Sequence, residues 1–342
     1  MIQVENLVKK YGPHTAVDHL SFSVEKGQIY GFLGPNGAGK STTMNIVTGY
    51  IAADSGIVQI NNYDILKEPE KAKRCIGYLP ETPPLYTDMT VREYLLFVAE
   101  LKKVPKKNRS GHVDEIMEKM QLTDMQKRLI RNISKGYKQR VGLAQAIIGD
   151  PEILILDEPM VGLDPKQIIQ MRDLIRSLAE NHTIILSSHI LSEVRAVCDH
   201  ILIISKGKLA AGGSPQELQE MMRTKTELEI TVIGTMEHVE KIMQTITGIE
   251  SYEVEPAQEA DSVRILLTED GDEDMRRKMS IALSKEDMPI LSMNRIEKSL
   301  EDIFLELTDN ETGDTAESDT DSADGLSETE EGKEEMSDGS DL

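Results

Sequence analysis

The chain has 342 residues, of which 39% are hydrophobic and 29% are charged, and its formal net charge is −22. This length predicts two domains. The acidic balance argues against a general nucleic-acid-binding protein, which needs a net basic face, so we expect no nucleic-acid partner. Residues 309–342 carry much of the excess, because they hold fourteen Asp and Glu residues and one Lys.

Cysteine usage and hydropathy indicate the compartment. Cys75 and Cys198 form no CxxC pair and cannot make a disulfide framework, which favours a reduced, cytosolic compartment. The first residues lack the apolar core of a signal peptide. The longest apolar runs, such as 153–156 and 201–204, have the length of strands. If this protein serves a membrane, we expect another chain to cross it.

Strand-like and helix-like patterns alternate through the first 210 residues. Apolar runs or apolar-polar alternation predict strands at 21–24, 29–33, 153–156 and 183–186. Helical patterns follow several of them, which favours an α/β domain on a largely parallel sheet. From about 86 to 148 the pattern is helical, with amphipathic segments at 91–101 and 113–120, and predicts a helical insertion.

The remainder of the chain has a different pattern of predicted strands and helices. The turn-forming stretch 207–216 predicts the exit from a first domain at 1–215. The predicted order β-α-β-β-α-β and a last helix at 300–307 favour a small ferredoxin-like α+β domain over 220–308. Its predicted strands and helices are 227–233, 239–246, 251–254, 263–267, 275–283 and 290–293. Residues 309–342 have almost no apolar content, and we expect a disordered acidic tail.

A glycine-rich segment fits G-x-x-x-x-G-K-[ST], the pattern of a phosphate-binding loop, between a predicted strand and a predicted helix. Its glycines permit turns that aim backbone N–H groups at a phosphate beside the N-terminus of the next helix. Lys40 would neutralise β- and γ-phosphate oxygens, and the Ser41 hydroxyl would ligate Mg²⁺. The predicted ATP-binding residues here are Gly34, Pro35, Asn36, Gly37, Ala38, Gly39, Lys40, Ser41 and Thr42.

Two adjacent carboxylates end the predicted strand at 153–156. In open α/β sheets ligands bind at the carboxyl ends of strands. Asp157 would hold Mg²⁺ through its water shell, and Glu158 would polarise the attacking water. By itself this pair also fits an ordinary turn at the end of a strand. The preceding phosphate-binding loop favours the catalytic interpretation.

With these motifs, residues 1–215 resemble the ATP-binding cassette family, specifically the nucleotide-binding subunit of an ABC transporter. The segment 132–140 is similar to the family signature LSGGQxQR. The resemblance implies a P-loop cassette with a RecA-like core, an antiparallel β subdomain and a helical subdomain. It also implies that Ser134, Lys135 and Gly136 contact a γ-phosphate from the positive end of a helix.

Further site residues follow from the same resemblance. Tyr11 resembles the aromatic residue that stacks on adenine, and Val17 would pack against the opposite ring edge. His189 resembles the switch histidine that contacts the γ-phosphate. Glu81 stands where the family usually has the glutamine of the Q-loop, and would reach Mg²⁺ or position water. The segment 162–165 resembles the D-loop. The resemblance therefore implies catalysis by Glu158, His189 and Lys40.

The resemblance also implies partners and a location. In the family, two cassettes enclose two ATP molecules head to tail, so the chain needs a second copy or a paralogue and separate transmembrane permease subunits. The chain would lie at the cytoplasmic face of the membrane, or in the cytosol when unassembled. Residues 299–307 (SLEDIFLEL) resemble the ends of bacterial export-type cassettes, which favours export. The alternatives are a soluble cassette ATPase with a non-transport partner and a binding module without turnover.

Two segments each have more than one interpretation of their function. The domain predicted at 220–308 would bind a ligand, brace a dimer or regulate the ATPase, or simply pack as an appendage. The acidic tail at 309–342 is a solubilising segment or a switch that competes for basic surfaces.

Overall fold

The computed structural model describes residues 1–221, 227–257, 259, 261–269 and 274–296. The predicted last helix at 300–307 and the predicted acidic tail at 309–342 lie outside the described residues.

The first 221 residues fold into alternating strands and helices. The strands are β1 (Ile2–Tyr11), β2 (His14–Val24), β3 (Ile29–Leu33), β4 (Ser55–Ile60), β5 (Tyr63–Asp64), β6 (Ile76–Leu79), β7 (Ile153–Asp157), β8 (Thr183–Ser188), β9 (His200–Ser205) and β10 (Lys208–Gly213). The helices are α1 (Lys40–Val47), α2 (Pro69–Arg74), α3 (Val91–Leu101), α4 (Lys106–Lys119), α5 (Lys135–Ile147), α6 (Pro165–Ala179), α7 (Leu191–Val197) and α8 (Pro215–Met221).

The central sheet has the strand order β10-β9-β3-β8-β7-β6, and its pairs are parallel except β9 with β10. Strands β3 and β7 are buried at every position, as expected for a parallel sheet covered on both faces. The prediction of a largely parallel sheet is confirmed. Because Leu33 pairs with Ser188 and Asp157 with Ser187, the strands β3, β7 and β8 end at one edge. This register brings three predicted motifs to one edge of the central sheet: the loop after β3, the acidic pair at the end of β7 and His189 after β8.

A second sheet, with the order β2-β1-β4-β5, is antiparallel. Its buried side chains share a core cluster with β3 and α1, in which the rings of Phe22 and Phe32 lie 5.5 Å apart. The helices α3, α4 and α5 lie between β6 and β7, in the segment predicted as a helical insertion. Helix α3 begins with a capping box between Thr90 and Glu93, which satisfies two otherwise unpaired N–H groups.

The stretch 207–216 differs from the prediction of a turn-rich exit. Residues Lys208–Gly213 instead form β10, which pairs antiparallel with β9 at the edge of the central sheet. An edge strand tolerates two glycines because its backbone pairing, rather than side-chain packing, holds it in place. Leu218 of α8 is 1% exposed and belongs to the core cluster of the central sheet, so this packed unit extends past residue 215.

The second part of the chain contains β11 (Glu227–Ile233), α9 (Met236–Met243), β12 (Ile249–Pro256), β13 (Ser262–Glu269), α10 (Met275–Lys285) and β14 (Ile290–Ile296). The sheet order β12-β13-β11-β14 with antiparallel pairs confirms the ferredoxin-like prediction. Alternate β11 residues Leu228, Ile230 and Val232 pack against α9 and α10 in a separate core cluster. Within the described ranges, no helix is both long enough and apolar enough to span a bilayer.

A candidate nucleotide-binding and catalytic site

The loop between β3 and α1 is built so that only glycine fits at two positions. Gly39 has φ 101°, a conformation that other residues rarely adopt, and a Cβ there would collide with the carbonyl oxygen of Ala16. A Cβ at Gly34 would collide with the carbonyl oxygen of Ile204. Close backbone approach on both sides therefore fixes the path of the loop. Its last residue, Gly39, leads directly into the first turn of α1.

Lys40 is a buried cation inside this loop, with 6% of its surface exposed. Its Nζ donates to the carbonyl oxygens of Gly34 at 2.6 Å and Pro35 at 3.1 Å, and lies 4.0 Å from Glu158 Oε1. Burial lowers the pKa of Lys40, and the nearby carboxylates of Glu158, Asp157 and Glu81 oppose this change. The ammonium group and the glycine-built loop fit the polyphosphate of a nucleotide.

The predicted acidic pair stands at the end of β7, and the structure shows what orients it. The Ser187 hydroxyl donates to Asp157 Oδ1 and accepts from the backbone N–H of Glu158 at 3.0 Å. Glu158 has φ 47°, in the left-handed region, which costs roughly 1–2 kcal/mol for a residue with a Cβ. The strand β7 ends before this residue, and the Glu158 side chain lies beside Lys40 and His189.

Burial sets the electrostatics of both carboxylates. Desolvation raises the pKa of Asp157, and hydrogen bonds from Ser187 and Ser41 and the charge of Lys40 oppose it. Desolvation also raises the pKa of Glu158, against His189 and Lys40. Ser41 and Asp157 thus supply neighbouring oxygens, the ligand type that Mg²⁺ prefers. Among the described residues no group of three or more His, Cys, Asp or Glu side chains could hold a metal by itself.

His189 follows β8 directly and reaches the acidic pair. Its Nδ1 lies 3.0 Å from both Oε1 and Oε2 of Glu158. The His189 side chain is 39% exposed, whereas that of Glu158 is 9% exposed. The imidazole therefore holds the buried carboxylate and still faces the space where a ligand would lie.

A cavity of about 480 Å³ opens beside the loop. Its lining residues are Tyr11, His14, Ala16, Asn36, Gly37, Gly39, Lys40, Ser41, Thr42, Glu81, Glu158, Val161 and His189. The fold thus brings together most of the predicted site, from the aromatic residue to the switch histidine. Tyr11 is half exposed at this cavity, with Lys9 Nζ 5.7 Å from its ring centroid.

Several predicted residues lie elsewhere. Gly34, Pro35 and Ala38 belong to the loop but are not among the residues that line the cavity. Asp157 does not line the cavity either and is buried, with 5% of its surface exposed. Val17 is fully buried in the core of the second sheet, so its side chain does not reach the cavity. The neighbouring Ala16 occupies that wall instead.

The predicted signature residues also lie outside the described cavity lining. Ser134 and Lys135 are exposed at the start of α5, where the Ser134 hydroxyl accepts from the N–H of Tyr137 at 3.4 Å. A Cβ at Gly136 would meet the Gln167 side chain at 2.5 Å, so this glycine permits close packing against α6. One chain therefore does not bring Ser134, Lys135 and Gly136 to its own phosphate loop.

Sequence reasoning missed two residues that support the site. The Ser187 hydroxyl is hydrogen-bonded to Asp157 and to the backbone of Glu158. The two serines directly before His189 were the sequence feature that could have indicated this role. Gly207 donates its N–H to the Ala38 carbonyl and accepts from the N–H of Asp18, both at 2.9 Å. Its φ is 80°, and it links the phosphate loop to β2. Its position after β9 gave no indication of this role, since the contact spans about 170 residues of sequence.

Comparison with known proteins identifies the family. A family model described as "ABC transporter" matches residues 17–161. The bacitracin transport ATP-binding protein BcrA of Bacillus licheniformis is 37% identical over 309 residues, covering 90% of this chain and 97% of its own length. The linearmycin resistance ATP-binding protein LnrL of Bacillus subtilis is 33% identical, with 90% and 98% covered. The chain belongs to the ATP-binding subunits of the ABC transporter family.

Solved structures agree with this assignment. The structure of an ATP-binding subunit of an ABC transporter matches with a TM-score of 0.60 and 28% identity, covering 65% of this chain and 93% of that one. The resemblance to an ABC cassette is therefore confirmed, with its P-loop fold. This ABC subunit is an ATPase. Lys40, Glu158 and His189, three of the residues predicted to be catalytic, line the same cavity.

Proposed function

We propose that this chain binds ATP with Mg²⁺ in the cavity beside Lys40 and hydrolyses it to power export through separate membrane subunits. The cluster of Lys40, Glu158 and His189 carries the proposal. It places a buried cation, a carboxylate with a raised pKa and an imidazole around one cavity at the phosphate loop.

The roles follow from position and charge. Lys40 and the backbone N–H groups of the loop bind the β- and γ-phosphates. Tyr11 stacks on the base, a contact worth about 1–3 kcal/mol. Glu158 is the general base for the attacking water, since a raised pKa brings a carboxyl group closer to the working pH. His189 orients Glu158 and contacts the γ-phosphate.

Magnesium fits the oxygens that the chain offers. Ser41 and Asp157 would hold the ion, Asp157 through water, with Glu81 at the cavity wall. When bound, Mg²⁺ neutralises charge on the transferred phosphoryl group.

A second cassette would complete the site. Ser134 and Lys135 at the N-terminus of α5 are exposed, and the first residues of this helix do not line the cavity of the same chain. We infer that Ser134, Lys135 and Gly136 close on the γ-phosphate held by another copy or a paralogue, with the catalytic unit predicted at 1–215. Contacts that exist only while the γ-phosphate is attached would convert hydrolysis into opening of the pair.

The direction of transport and the location rest on the relatives. The bacitracin transport protein and the linearmycin resistance protein each cover most of this chain. The first name describes transport and the second describes resistance, and together they support export. In this proposal the chain sits at the cytoplasmic face of the membrane, bound to separate permease subunits.

Replacing Glu158 with Gln tests the proposal. We expect ATP and Mg²⁺ to bind as in the wild type, hydrolysis to fall at least 100-fold because the base is lost, and the chain to dimerise with ATP. Phosphate release, nucleotide fluorescence and light scattering report these three properties. Glu152→Gln is the matched control, because Glu152 precedes the same strand and is exposed. Hydrolysis at the wild-type rate in the Glu158 variant would remove it from catalysis.

A further inference from the structure

The connection between β8 and α7 consists of two residues, His189 and Ile190. Both are exposed, and Ile190 keeps 38% of its surface open to solvent. Apolar burial therefore does not hold these two side chains. The contacts that fix the backbone of this connection set the direction in which the His189 imidazole points.

Ser188, the last residue of β8, fixes this backbone. It is completely buried, and its Oγ accepts from the N–H of Ile190 at 3.1 Å. A serine hydroxyl that accepts from the N–H two residues further along closes a tight turn around the residue between them. That enclosed residue is His189.

Glu193 in turn fixes the Ser188 hydroxyl. Ser188 Oγ donates to Glu193 Oε2 at 3.0 Å. A hydroxyl has a single proton, so its donation to this carboxylate limits the directions in which its oxygen can accept. Glu193, Ser188 and the N–H of Ile190 thus form a continuous chain of hydrogen bonds around His189.

Glu193 itself has a defined position. Only 5% of its surface is exposed, and it lies in the first turn of α7, where the helix dipole favours a carboxylate. Its neighbours on α7, Leu191 and Val194, belong to the core cluster of the central sheet. The carboxylate is therefore held in place relative to β8.

The two adjacent serines at the end of β8 serve different sides of the site, because consecutive side chains of a strand point to opposite faces. The Ser187 hydroxyl accepts from the backbone N–H of Glu158 at 3.0 Å, whereas Ser188 bonds to Glu193. The first serine orients the catalytic carboxylate, and the second orients the connection that carries His189. Both contacts bear on the 3.0 Å approach of His189 Nδ1 to Glu158.

We infer that Glu193 is a positioning residue for ATP hydrolysis, which holds the His189 imidazole against Glu158 through the Ser188 hydroxyl and the N–H of Ile190. This inference rests on the role proposed above for His189. Glu193 does not line the cavity beside Lys40, so its removal changes turnover and leaves nucleotide binding intact.

Substitutions in the full-length chain test the inference. We expect Glu193→Ala to lower kcat for phosphate release at least tenfold, because small displacements of a catalytic group are costly. Affinity for ATP should stay within about twofold of the wild type. Glu193→Gln keeps an oxygen that accepts from Ser188, and should retain kcat within about threefold. Ser192→Ala, an exposed neighbour on the same turn, is the matched control.

A double-mutant cycle shows whether Glu193 acts through His189. In a His189→Ala background, Glu193→Ala should lower kcat by less than about twofold more, because the group that it positions is already absent. Losses that multiply in the double variant would overturn the inference. Circular dichroism and urea unfolding check the fold, and Ser188→Ala tests the same relay if Glu193→Ala does not fold.

Nuclear magnetic resonance of the nucleotide-free chain gives a readout besides activity. With isotope-labelled histidine, the His189 imidazole signals are assigned by their loss in His189→Ala. We expect these signals to shift in Glu193→Ala and to stay near the wild-type positions in Glu193→Gln and Ser192→Ala. Unchanged His189 signals in Glu193→Ala would overturn the inference.

The same variants separate this inference from the proposed function. Wild-type turnover in His189→Ala would remove the role proposed for His189 and the inference with it. Loss of turnover in His189→Ala beside wild-type turnover in Glu193→Ala would overturn the positioning role alone and leave the proposed function standing.

Discussion

Two helix N-termini in this cassette are both predicted to contact a phosphate, and they differ in what surrounds them. Helix α1 begins after Gly39, and among the described residues no side chain caps its first turn. Helix α5 begins after Ser134, whose hydroxyl caps it. The first terminus lies in a cavity with Lys40, Glu158 and His189, whereas the second is exposed.

We interpret this difference as a division of the catalytic work between the two termini. An uncapped terminus with a buried cation is ready to bind a phosphate within one chain. A capped, exposed terminus gains a ligand when something is brought to it. We therefore propose that the N-terminus of α1 provides affinity for the nucleotide, and that the N-terminus of α5 contacts the nucleotide only when a second cassette assembles with the chain.

The largest expected effect separates the two termini. Lys40→Ala should lower affinity for ATP at least 100-fold, because charge-assisted bonds to phosphate contribute about 1.5–3 kcal/mol each. Ser134→Ala should leave nucleotide binding by the isolated chain within about twofold of the wild type, and should reduce ATP-driven dimerisation and turnover. Titration with a fluorescent ATP analogue and phosphate release measure both. An equal loss of ATP affinity in Lys40→Ala and Ser134→Ala would contradict separate roles for the two helix termini.

A smaller effect tests how the loop of α1 is held. Gly207→Ala and Gly27→Ala are a matched pair, because their φ angles are 80° and 79°. A Cβ at Gly207 would lie 2.9 Å from the Ala16 oxygen, whereas a Cβ at Gly27 meets nothing within 4 Å. Each substitution costs roughly 1–2 kcal/mol, because alanine must adopt the left-handed conformation.

We expect Gly207→Ala to cost about 1–3 kcal/mol more than Gly27→Ala in the free energy of unfolding. It should also weaken ATP binding, since Gly207 is bonded to the loop residue Ala38. Urea unfolding and nucleotide titration measure the two quantities. Equal stability of the two variants would show that the loop does not depend on this contact.

The smallest effect concerns the buried acid beside the loop. Burial raises the pKa of Asp157, so the carboxyl binds its proton more tightly in the folded chain than in the unfolded chain. The cost of burying the charge is absent below the usual Asp pKa of about 3.9 and appears as the pH rises through the folded pKa. Asp157→Asn should therefore stabilise the nucleotide-free chain by on the order of 1 kcal/mol at pH 7.

This gain should shrink as the pH falls from 7 toward the usual Asp pKa of about 3.9. Thermal unfolding of the wild type and Asp157→Asn at several pH values measures it. Asp173→Asn, an exposed acid on α6, is the control and should change stability little at any pH. A stabilisation by Asp157→Asn that does not depend on pH would exclude the buried charge as its cause.

Much of the site was predictable because its chemistry is local in sequence. The phosphate loop is contiguous, the two acids directly follow an apolar run that predicts a strand, and His189 follows another such run after two serines. The ferredoxin-like order followed from period-2 and period-3.6 patterns in short segments. The strand β10 was missed because its glycines read as turns, and its pairing with β9 decides otherwise.

Local residue patterns specify the chemistry of this cassette: a glycine-rich loop that ends in one lysine, two adjacent acids and one histidine. Tertiary structure decided which residues reach the ligand and which support them. It buried Val17 and placed Ala16 at the cavity, joined Ser187 to both acids, and brought Gly207 against Ala38. The physical reason is that these contacts depend on strand register and on backbone approach between distant segments, which local residue patterns do not encode.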